Sequence, residues 1–104
     1  SAVLQWDKNS YAVTAAATVT ARDVNADTSG GADTVTVFLT SQDWLTNLPV
    51  TAIETGAHTG VFTATVHFTT SNSSGSTLKA LAGDLDNIRQ LARTPRTVGQ
   101  VTNE

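Results

Sequence analysis

Cysteine is missing from this 104-residue chain, and so is methionine, even at position 1. Without cysteine, disulfides and thiolate metal sites are excluded, although the compartment is not thereby fixed. Without an initiating methionine, the chain is expected to start after processing or as a cut fragment, and Ser1-Ala2 suits the small residues beside a removed signal peptide. Basic residues are scarce: six Lys and Arg stand against nine Asp and Glu, for a net charge of -3. Nucleic-acid binding needs a basic face, so the charge argues against nucleic acid as a partner. No apolar run approaches the ~20 residues of a membrane span. Threonine is abundant instead, and it favours strands with one hydrated face. Such a composition points to an extracellular or cell-surface location. The length allows one domain and a core without covalent staples.

The most legible stretch is Ala57 to Phe68, led in by Glu54-Thr55-Gly56. Gly56 and Gly60 bracket a tight turn. Beyond it, Phe62, Ala64, Val66 and Phe68 alternate with Val61, Thr63, Thr65 and His67, a period of two that predicts a strand with one apolar face. Val50 to Thr55 reads as the partner strand, with Ile53 assigned to the same core. A hairpin of this kind needs a second layer to cover it.

The earlier chain can supply that layer. Ala2 to Trp6 is a short apolar arm before the turn-forming Asp7 to Ser10. Ala17, Val19 and Ala21 alternate with Thr18 and Thr20. A polar loop from Asp23 to Asp33 follows. Thr34 to Ser41 alternates again, with Val35, Val37 and Leu39 on one face. Pro49 suits a strand start or edge. After a Ser/Asn/Gly linker, Leu78, Leu81, Leu85, Ile88 and Ala92 recur at spacings of three and four, which predicts a helix ended by Thr94-Pro95. Arg96 to Glu104 reads as a tail.

Three groups of residues carry the resemblance to a known family. They are Asp7, Lys8 and Tyr11; Asp23, Asn25, Asp27 and Asp33 ahead of a Thr/Val strand; and the turn Glu54 to Phe62, ETGAHTGVF. Together they resemble an immunoglobulin-like β-sandwich module of bacterial and archaeal surface proteins, of the S-layer, adhesin or filament type. The resemblance covers roughly residues 4–84. It implies an all-β antiparallel sandwich over 1–84, with 85–104 as a C-terminal extension packing on it or at a subunit interface. The family usually closes with a Val/Thr/Tyr strand after Gly-Asp. Here Gly83-Asp84 leads into LDNIRQLAR, which does not alternate, so the expected last strand is incomplete and gives way to a short helix or irregular tail.

Asp23, Asn25 and Asp27 place oxygen ligands at alternate positions, with Asp33 beyond them, as a calcium loop does. The helical calcium loop's following Gly and closing Glu are lacking. The alternative is a solvated turn whose Asp and Asn side chains bond their own backbone. No cofactor is required on either reading. Glu54 is expected to tie the turn's amides, and His58 and His67 to lie on the surface. Trp6, Tyr11 and Trp44 are candidates either for a sugar-stacking platform or for the core. Asn72-Ser73-Ser74 is a glycosylation sequon in an accessible linker. No nucleophile-base arrangement, phosphate loop or carboxylate pair indicates catalysis, so the chain is not expected to be an enzyme. Two roles remain. One is a structural subunit of a filament or surface layer, with copies of itself as partners. The other is an adhesin or carbohydrate-binding module that meets glycans or other surface proteins. In the first, Ala2, Val3, Leu4, Gln5 and Trp6 form an arm that one subunit donates to the next, or that instead serves as the first strand of its own sandwich.

Overall fold

The computed structural model describes residues 3–90 and 96–102, with side chains described for residues 3–86. The protein is all-β. Its strands are β1 (Val3–Trp6), β2 (Ser10–Ala12), β3 (Ala16–Arg22), β4 (Thr34–Ser41), β5 (Trp44–Glu54), β6 (Val61–Thr69), β7 (Thr77–Lys79), β8 (Leu85–Gln90) and β9 (Arg96–Thr102), with one turn of 3-10 helix at Val24–Ala26. The sheet runs β1-β3-β6-β5-β4-β8-β9-β2, and β7 flanks β6. Pairing is antiparallel except for β2 with β9 and β6 with β7. The sheet curls until β1 lies against β8 and β9. No described helix is long and apolar enough to cross a membrane.

The period-two reading accounts for the core. Phe62, Val66 and Phe68 on β6, Ala17, Val19 and Ala21 on β3, and Val35, Val37 and Leu39 on β4 are all buried. Thr65 and His67 face solvent, as expected, while Ala64 is half-buried. Each Val, Leu or Phe withdrawn from water contributes roughly 1.5–3 kcal/mol. The paired register Ala17↔Val66, Val19↔Ala64 and Ala21↔Phe62 stacks these side chains across neighbouring strands.

Several expectations are corrected. β5 starts at Trp44 rather than Val50, and Ile53 is 56% exposed instead of sitting in the core. On β5 the buried set is Leu48, Val50, Ala52 and Glu54, so a strand read from Val50 with Ile53 inward is out of phase by one residue. The helix expected from Leu78 onward is absent over the described residues. Leu78 enters the core from β7, Leu81 and Leu85 are exposed, and β8 pairs antiparallel with β4 over Asp86 to Gln90. A turn separates the two strands. The Asp84 amide donates to the Leu81 carbonyl (3.0 Å), and Gly83 takes φ +92, as the third residue of a type II turn must. The β4 edge also needs a partner, and an isolated helix would leave its amides unpaired. Ala92, Thr94 and Pro95 lie outside the described residues. The expected tail carries β9, so the last strands belong to the sheet.

The candidate donated arm is Ala2 to Trp6. Its described part, Val3–Trp6, pairs with β3 of the same chain, Leu4 opposite Ala21, and Leu4 is buried.

Candidate functional site

Two loops meet at one end of the sheet. The turn after β5 and the loop after β3 are joined there by Glu54, which is only 4% exposed. Its Oε1 accepts a hydrogen bond from the Asp33 amide (3.1 Å) and its Oε2 one from the Gly60 amide (2.8 Å). The Glu54 amide donates back to the Asp33 carbonyl (2.8 Å). This is the amide-tying role expected of Glu54, extended to a second loop. The Thr55 and Thr59 hydroxyls bond across the turn at 2.8 Å. Gly60 adopts φ +65, and a Cβ there would stand 3.2 Å from the Val24 Cα. A side chain is therefore excluded by conformation and by space.

Of the four proposed calcium residues, Asp27 and Asp33 come together, and Glu54 joins them with ligand oxygens within 4.8 Å of one another. Asp23 does something else: it is buried, and its carboxylate accepts from the Asn25 amide (3.2 Å) to cap the 3-10 helix. Asn25 is exposed on that helix. Asp33 accepts from the amides of Thr28 and Ser29 and from the Ser29 hydroxyl (2.7 Å). These bonds, led by the Ser29 hydroxyl, hold its carboxyl below the ordinary value. Asp27 meets exposed His58 at 3.2 Å. The carboxylates thus act as loop braces, each bonding backbone or a neighbouring ring. The composition of the loop could not reveal that Glu54, 21 residues after Asp33, would complete the group.

The Asp7, Lys8 and Tyr11 motif closes on itself. The buried Tyr11 hydroxyl donates to Asp7 Oδ1 and accepts from the Lys8 amide (3.0 Å), while Asp7 also accepts from the Thr18 amide (3.0 Å). Burial opposes ionisation of Asp7, but the Tyr11 and Thr18 bonds outweigh it and keep its carboxyl below the ordinary value. Burial, then the bond to Asp7, pushes the Tyr11 phenol well up. The Tyr11 ring packs on Phe68 (5.5 Å) and on Trp6 (6.0 Å). Trp6 and Trp44 are half-buried against the same core. The three aromatics therefore anchor strands, and Tyr11 has no free face for a sugar.

Asn72 is exposed in the loop after β6. At the far end of the sheet, the periodicity hid a second acidic group. Asp84 and Asp86 are buried, and a hydrogen bond with Asp84 raises the Asp43 carboxyl. The helical stripe read from Leu78 to Ala92 does not include these acids. Strand alternation through Leu85–Gln90 places Asp86 inward. No protein-family model matches the chain, and no curated protein matches it.

Proposed function

We propose that this chain is a structural module of an extracellular filament or surface layer, built as an immunoglobulin-like sandwich. The strand order supports the sandwich reading. The sheet order falls into β1-β3-β6 and β5-β4-β8-β9-β2, linked by a short β5–β6 pairing where Ile53 and Glu54 meet Thr63 and Phe62. The N-terminal segment crosses between the halves, with β1 on β3 and β2 parallel to β9.

One observation carries the structural role. Three carboxylates singled out in the sequence are spent on holding loops: Asp7 on Tyr11 and Thr18, Asp33 on Ser29, Glu54 on Gly60. The assembly reading rests on the slot that β1 fills in its own chain. The slot is a complete antiparallel pairing with β3, followed directly by the turn at Asp7 to Asn9. The same pairing made with a neighbour's arm is a strand exchange, and its head-to-tail repetition gives a fibre.

Deleting Ser1 to Gln5 tests this reading. The shortened protein should stay folded, fail to polymerise under negative-stain microscopy, and bind a synthetic peptide of the deleted residues. If the deletion unfolds a monomer, β1 serves its own domain and the exchange is wrong.

A further inference from the structure

Asp86 lies on β8 and is fully buried, with neither carboxylate oxygen hydrogen-bonded. Among the described residues, its neighbours offer no relief. Ser41, opposite it on β4, already donates to the Lys79 carbonyl and accepts from the Asp43 amide. β4 brings no titratable side chain of its own, and neither does β1. From the turn after β4, Gln42 accepts from the Leu85 amide, and Asp43 pairs with Asp84. β7 brings Lys79, whose charge acts on Asp43. Arg89 stands on β8 itself, opposite Phe38, and β9 places Arg96 at the register position opposite Ile88. Among the described residues, the charge that acts on Asp86 is that of Asp84, two residues away and of the same sign.

A buried carboxylate without donors is strongly disfavoured against its neutral form. We propose that β8 is a proton-latched strand, closed on β4 while Asp86 is protonated and loosened from it when Asp86 ionises. Opening would bare the β4 edge from Val37 to Ser41, which β8 otherwise pairs. The latch is a property of the folded chain and does not depend on the assembly proposed above.

The direction of the pH effect follows. Burial, then the Asp84 charge, pushes Asp86 up from 3.8 to about 7. The closed strand holds a proton that the open strand releases. Closure is thus strongest below 3.8, weakens as pH rises, and has lost the whole contribution above about 7. Between pH 5 and 8 the open fraction of β8 should rise on the order of 100-fold.

Native-state hydrogen exchange on the full chain, corrected for the intrinsic pH dependence of exchange, reads this fraction at the amides of β8 and of Val37 to Ser41. The expected result is that rise in the wild type and a flat profile in Asp86→Asn and Asp86→Leu. His58→Gln should keep the wild-type slope, which separates the latch from the exposed His58–Asp27 contact. A flat wild-type profile, or a slope that survives in both Asp86 variants, overturns the proposal. So does a slope lost in His58→Gln. Failure of both Asp86 variants to fold overturns it too, because a latch that strains the closed state must leave the fold intact when removed.

Discussion

Glu54 and Asp86 are both buried carboxylates, at 4% and 0% exposure, and they stand in opposite circumstances. Glu54 ends β5 where two loops need anchoring, and each of its oxygens receives a backbone amide. Asp86 sits inside a paired strand, beside an irregularity in the β8–β9 register, and neither of its oxygens receives a hydrogen bond. Burial alone therefore does not decide whether an acid helps a fold. The supply of donors does, and loops have donors to spare where strands do not.

The comparison can be sharpened against a benchmark of ordinary core packing. Phe62→Ala should lose roughly 3–5 kcal/mol in urea unfolding, because Phe62 is fully buried. Thr63→Ala, half-buried on the other face, should change stability by less than about 0.5 kcal/mol. Equal losses at the two sites would mean that β6 is out of register. Glu54→Ala removes the acceptor for one buried and one part-buried amide and should cost about 2–4 kcal/mol. A loss within error would show that water serves Asp33 and Gly60 equally well.

Asp86→Leu should move the other way, gaining roughly 1–3 kcal/mol at pH 8 and much less at pH 4, where Asp86 is already neutral. A destabilised Asp86→Leu at pH 8 would erase the contrast with Glu54. His58→Gln breaks an exposed pair and should shift stability by less than about 0.5 kcal/mol. The smallest effect is expected from a chelator. Asp33 and Glu54 already satisfy backbone donors, so EDTA should leave the melting curve where it was. A fall in Tm that Asp33→Asn abolishes would instead identify calcium at Asp27, Asp33 and Glu54.

What the sequence made legible follows the same division. β3, β4 and β6 alternate cleanly because one face is apolar and the other threonine, and both the strands and their inward residues could be read. β8 could not. Asp86 occupies an inward position, which broke the alternation, and leucines at 78, 81 and 85 mimicked a helical stripe across a turn. The phase of β5 was lost for a related reason. Ile53, a strong core former by type, points outward, while the polar Glu54 points in. At the loops, Glu54's tie to the turn was readable from the glycines around it. Its grip on Asp33 was not, because only the fold brings those residues together.

The parallel pairing of β2 with β9 has a mechanical meaning. Ser10, Tyr11 and Ala12 lie beside Gln100, Val101 and Thr102, running in the same direction. Tension drawn from the segment before β2 and the segment after β9 pulls the two strands in opposite senses along their length. Their hydrogen bonds are then loaded in shear, all at once, rather than opened one after another like a zipper. The Asp7–Tyr11 bond lies on the same line of force, just before the pair. A chain pulled end to end loads β1 on β3 first, and then meets at this short pair a contact that can give way only by sliding.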